Sequence, residues 1–245
     1  MKNYVKILIP LFILLISINL KPYDSSAELT ITGCNGLFTV PAAEVPERGK
    51  VNISSGFIFT PGNFYLSSAT SPIPDFELSV GKEIPVSKDY SFSSTPLIFG
   101  SKYLFYKKGT FKSGIGIQIE LAGDKAGISG TPITLYGVIS ESAGKLGKLS
   151  TGLGYTFGMN AGYRINFFVG LKKPLVEDKL YLIGEFTNFS VRHGQALPWN
   201  EARGVFNGGL QLKLTDFLMF NFAAYDMFDN FLTIGISGEL KLKVF

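Results

Sequence analysis

The chain has 245 residues, of which 46% are apolar, 14% aromatic and 17% charged, with 28 Gly, one Cys, one His and a net charge of +4. This excludes a disordered chain, a disulfide scaffold, and a catalytic metal site built on His and Cys, which needs three ligands. Beyond the N-terminus no run of about 18 uncharged apolar residues occurs, so a helical membrane protein is excluded, and a hydrophobic, Gly-rich and aromatic-rich chain is left with the closed β-barrel as its membrane solution.

Lys2 and Lys6 precede an apolar stretch from Ile7 to Leu20 that Pro10, Ser17 and Asn19 interrupt. Ser25-Ser26-Ala27 then places small residues at the −3 and −1 positions of a cleavage site before Glu28, so residues 1–27 read as a secretory signal peptide. Three lysines and one aspartate leave with it, lowering the net charge from +4 to +2, and nucleic acid is not an expected partner. Ile31-Thr32-Gly33-Cys34 loosely matches a lipobox, but polar residues 21–28 separate it from the apolar stretch. An unpaired thiol near the mature N-terminus is therefore expected at Cys34. Residues 28–49 read as an N-terminal periplasmic segment or plug, and residues 50–245 as the barrel.

From residue 50 onward the pattern has period 2, the period of strands. It is clearest at the C-terminus, where Leu232, Ile234, Ile236, Leu240, Leu242 and Val244 share one face. Thr233, Gly235, Ser237, Glu239, Lys241 and Lys243 share the other. Strands are predicted at 50–60, 63–68, 75–84, 95–106, 111–122, 131–141, 149–158, 163–173, 179–188, 204–215, 217–226 and 231–244. These make about twelve, an even number as single-chain bacterial barrels require, or ten if the weak segments 63–68 and 131–141 are discounted. With a periplasmic N-terminus, the longer connections 85–94, 123–130 and 189–203 fall outside. The turns at 107–110, 174–178 and 215–216 fall inside, as does the medium-length connection 142–148. Phe105, Phe111, Phe157, Phe186, Phe189, Phe217 and Phe231 at strand ends suit interfacial girdles. A soluble β-sandwich alternates in the same way, but its strands are shorter and its surface more charged. The predicted fold is an all-β, transmembrane, antiparallel up-and-down barrel in the outer membrane of a Gram-negative-type bacterium.

Residues 35–49, Asn-Gly-Leu-Phe-Thr-Val-Pro-Ala-Ala-Glu-Val-Pro-Glu-Arg-Gly, resemble the opening motif of the YjbH-like outer-membrane β-barrel proteins. Thr131–Val138 is similar to that family's P-x-x-YGV strand, Lys179–Phe186 to its L-x-L-x-x-E strand and Asn207–Leu210 to its N-x-G-L strand start. The resemblance covers most of the mature chain, in the same order. It implies an outer-membrane barrel, linked in some members to production or export of extracellular polysaccharide, and carries over no catalytic residues. Phe245 resembles the terminal aromatic of an outer-membrane insertion signal, which makes the barrel-assembly machinery an expected partner beside outer-membrane lipid, lipopolysaccharide and polysaccharide-export proteins. Leu240, Leu242 and Val244 are out of step with it.

The inward face is expected to carry Glu77, Lys102, Gln118, Glu120, Arg164, Asn166, Glu185, Asn207, Gln211, Asn221, Tyr225, Glu239 and Lys241. Both signs are present in near balance, whereas a selective pore gathers one sign at a constriction. Lys102 with Glu120, and Arg164 with Glu185, lie on adjacent strands and are candidate cross-lumen pairs. Inward Gly114, Gly116, Gly152, Gly154 and Gly235 argue the other way, for room in the lumen. The outer loop Ser190–Arg203 holds the ligand candidates Arg192, His193, Trp199 and Arg203, whose stacking and charge suit sugars or lipid phosphates. A rim hydrolase would use His193 with Asp229 or Glu201, but no spacing fixes a base near a substrate proton. No enzyme and no cofactor is expected. The leading expectation is a non-enzymatic barrel with a structural or envelope-associated role that supports surface-polysaccharide export; the alternative is a narrow diffusion channel for small polar solutes.

Overall fold

The structure, a computed structural model, describes residues 21–22, 28–59, 62–86, 95, 97–121, 131–142, 146–158, 164–176, 179–188, 204–225, 227 and 233–244. Twelve long strands follow in chain order: β1 Lys50–Ile58, β2 Asn63–Thr70, β3 Phe76–Pro85, β4 Leu97–Lys108, β5 Phe111–Leu121, β6 Ile133–Ser142, β7 Lys148–Phe157, β8 Arg164–Val176, β9 Leu180–Thr187, β10 Val205–Thr215, β11 Leu218–Tyr225 and β12 Thr233–Lys243. Each pairs antiparallel with the strand before it, and β12 closes on β1 from Gly235 opposite Ile58 to Lys243 opposite Lys50. The two-residue segment Lys21–Pro22 adds to the end of β12. Closure removes every sheet edge, which a membrane demands of strands, and excludes a two-sheet sandwich.

The period-2 pattern is resolved into an oily outside and a polar inside. Ile115, Leu153, Ile165 and Ile234 are 56%, 65%, 71% and 53% exposed on the outer face, although they are large and apolar. Alternate positions on the same strands bury Gln118, Glu120, Ser150, Thr156, Asn166, Ser237 and Glu239 inside. In a water-soluble protein this arrangement would be inverted; around a barrel it is the lipid-facing band. Phe105 and Phe186 lie exposed near strand ends and Tyr106 packs edge-to-face on Phe111, as girdle residues do, while Phe189 and Phe231 lie outside the described residues.

Segments 63–68 and 131–141 are both strands, so the ten-stranded count is set aside. The mouth where β1 begins and β12 ends, here the near mouth, carries the short connections 109–110 and 216–217. The long ones, 86–96, 122–132 and 188–204, join strands at the opposite, far mouth.

Candidate functional site: the filled lumen

Residues 28–46 do not hang from the barrel; they fold on themselves and lie within it. Isolated bridges pair Leu29 with Asn35 and Gly36 with Pro41, and the peptide N–H groups of Thr30, Gly33, Leu37 and Ala42 donate to carbonyls within the segment. Thr30, Asn35, Val40, Ala42 and Ala43 are fully buried. The segment is too short to bury its own apolar groups, so it borrows the barrel's. Ile31, Leu37 and Phe38 join Ile58, Tyr65, Ile183, Ala223 and Tyr225 in one cluster, and Val40 and Ala43 join Leu104, Tyr136, Val138 and Phe168 in another. At one level the two backbones nearly touch. A Cβ on Gly81 of β3 would stand 2.4 Å from the Thr32 carbonyl oxygen. A Cβ on Gly33, whose φ of +101° suits glycine, would stand 2.5 Å from the Val80 carbonyl oxygen.

Inward-facing side chains satisfy the polar groups that a non-helical, non-strand segment leaves unpaired. The Glu185 carboxylate accepts the N–H groups of Phe38 at 2.7 Å, Thr39 at 3.0 Å and Val40 at 3.2 Å, together with the Thr39 hydroxyl at 2.8 Å and Asn207 Nδ2 at 3.1 Å. Glu77 accepts both the backbone N–H and the side-chain amide of Asn35, whose carbonyl receives Lys102 Nζ at 2.7 Å. The Leu29 N–H donates to Glu239 at 3.0 Å, and the Ala43 N–H to the Ser140 hydroxyl at 2.8 Å. At the near mouth Lys148 pairs with Glu44 at 2.5 Å, Lys112 approaches the same carboxylate at 3.7 Å, and Lys172 pairs with Glu28. Burial alone would raise the Glu44 pKa, but Lys148 and Lys112 outweigh it and hold the carboxyl below its ordinary value. Cys34 is a free thiol in this interior, 3.3 Å from the Thr30 hydroxyl, and burial pushes its pKa up.

Lys102, Glu120, Glu185, Gln211, Glu239 and Lys241 are all buried on the inner wall. Arg164 is paired with Thr156 in register, and its side chain lies outside the described residues, as do Arg192, His193, Trp199, Arg203 and Phe245. The expected Lys102–Glu120 pair does not form. Lys102 stands level with Gly116 and Glu77, four residues along the wall from Glu120, and its ion pair is with Glu77 at 3.4 Å. Glu185 stands level with Gly170, six residues from Arg164, and serves the inserted segment. At about 3.3 Å per residue the Lys102–Glu120 offset exceeds the reach of the two side chains. Nor do the inward glycines leave open space. A Cβ would come within 2.3 Å of the Tyr136 ring at Gly116, 2.2 Å of Phe168 at Gly152 and 2.9 Å of Tyr225 at Gly235, so aromatic rings occupy the room. Sequence reasoning missed Glu44, Ser140, Lys148 and Lys172. The signal was present in 28–49, which is too apolar for a solvated linker yet has no strand period.

No family model and no curated protein matches the chain. Among solved structures it is similar to the KdgM porin, at 10% identity and a TM-score of 0.56, over 78% of this chain and 98% of that one. A KdgM porin in complex with disordered oligogalacturonate aligns over the same shares at 9% identity and a TM-score of 0.56. The NanC porin aligns at 10% identity and a TM-score of 0.55, over 79% and 99%. At such identities the shared property is the fold, a twelve-stranded barrel of the outer-membrane type. The YjbH-like resemblance stays at the level of its motifs.

Proposed function

We propose that the protein is a porin-like channel for small polar solutes that rests closed, with residues 28–46 as its plug. The observation that carries this reading is the Glu185 carboxylate, which receives three successive peptide N–H groups of the segment. A purely structural barrel has no need to hold a peptide by its backbone across a polar lumen, because apolar side chains would fill the space more cheaply. The wall the plug covers carries Glu77, Lys102, Gln118, Glu185, Asn207 and Gln211, groups suited to hydroxyl-rich solutes. The similarity to the NanC porin and to a porin solved with an oligogalacturonate favours a saccharide as that solute. Both charge signs along the wall favour low ionic selectivity.

Single-channel recording of refolded protein with a heat-modifiable gel band tests this. Native protein should be silent for most of the record, and variants with a weakened plug should show stable steps. Silence from every such variant, with its plug shown to be released, overturns the channel reading. Support of surface-polysaccharide export, implied by the YjbH-like resemblance, is the second reading; in its favour, residues 35–46 of the 35–49 motif belong to the segment that fills the lumen.

A further inference from the structure

At the near mouth three pairs of lysines stand directly opposite one another on neighbouring strands: Lys50 with Lys243, Lys107 with Lys112 and Lys148 with Lys172. Like charges placed so destabilise a sheet unless anions intervene. In the first two pairs, Lys50 and Lys107 find acids on the rim itself, Glu47 beside Lys50 and Asp75 at 2.5 Å from Lys107, while Lys112 approaches Glu44 at 3.7 Å. The third pair faces the lumen, its side chains only 13% and 11% exposed, and its acids are Glu44 and Glu28, which belong to the plug. Those two glutamates stand at the two ends of the inserted segment and are its only carboxylates. The plug is therefore latched by the same lysines that would be left as a like-charge pair without their anions if it withdrew with nothing in its place. Exchange of one anion for another avoids that cost; simple departure does not.

We infer that Lys148 and Lys172, with Lys112, form a docking site for an acidic peptide segment presented at the near mouth, whose carboxylates take the places of Glu28 and Glu44 and release the plug. A peptide is the partner because peptide glutamates are what the site already holds. Multiple carboxylates are needed because the plug's own are tethered and act at high effective concentration, which isolated anions do not match. The inference rests on the channel reading, but its test does not.

Cys34 is the only cysteine of the chain and is buried in the plug, so its rate of maleimide labelling reports plug release without reference to conductance. With the full-length protein in detergent micelles, poly-L-glutamate should accelerate labelling about tenfold or more, while NaCl or inorganic phosphate at matched ionic strength should not. The double variant Lys148→Gln, Lys172→Gln should label fast without poly-L-glutamate and no longer respond to it, whereas Lys148→Arg should keep the response. Should the double variant not fold, Glu44→Gln leaves the lysines in place and should lower the half-effective poly-L-glutamate concentration. Equal acceleration by the simple salts, no acceleration at all, a response that survives loss of both lysines, or an unchanged half-effective concentration in Glu44→Gln overturns the inference. Faster labelling with bilayers still silent leaves the docking site standing and overturns the channel instead.

Discussion

Glu185→Gln separates the plug's electrostatic hold from its shape, because the two side chains are nearly isosteric. In the native protein one carboxylate oxygen accepts the N–H groups of Phe38, Thr39 and Val40 at 2.7, 3.0 and 3.2 Å. A hydrogen bond to a charged acceptor contributes about 1.5–3 kcal/mol net, and a neutral one about half of that. Neutralising the acceptor of three such bonds therefore loosens the plug by about 3 kcal/mol. At 1.4 kcal/mol per decade the population with the plug released rises about a hundredfold. Labelling of a buried group follows the population of the opened form when reclosing is fast, so the Cys34 maleimide rate should rise by the same factor. Single-channel steps should appear in the same preparation. An unchanged Cys34 rate in protein that retains its heat-modifiable band would refute the view that Glu185 holds the plug. A faster rate without steps would leave that view intact and refute the channel.

Gly81→Val puts a side chain where the Thr32 carbonyl oxygen lies 2.4 Å from a Cβ, so the plug should fail to seat while the barrel persists; a heat-modifiable band with slow Cys34 labelling would contradict this. Leu153, 65% exposed in the middle of β7, faces hydrocarbon, and Leu153→Arg should cost about 2–4 kcal/mol in denaturant titrations of the refolded barrel. No change in the unfolding midpoint would mean that face is not in the bilayer core. Acid should loosen the latch. The Glu44 pKa is depressed in the folded protein, so its contribution is complete above the ordinary carboxylate pKa of about 4.3 and is lost as pH falls through the lower folded value. Conductance events should become more frequent below about pH 4, and Glu44→Gln should flatten that response; an identical acid response in the variant would assign it elsewhere.

What the sequence determined by itself is the wall. Each strand carries its own period-2 signal, independent of what it pairs with, so all twelve strands and the two faces of each were legible without a neighbour in view, while which face turns inward follows only once the barrel is taken as the fold. Even Asn63–Thr70 and Ile133–Ser142, the weakest predictions, are where alternation placed them. The contents of the wall were decided by tertiary structure. Inward residues were identifiable from parity, but which of them meet depends on register, and parity repeats every two residues whatever the offset between strands. Lys102 therefore looked as well matched to Glu120 as to its actual partner Glu77. Inward glycines revealed missing side chains but not the rings of Tyr136, Phe168 and Tyr225 that lie over them. The plug has no period at all, and Val40 meets Glu185 from 145 residues away. Its hold on the lumen is made of peptide N–H groups, which every residue except proline carries and no sequence pattern marks.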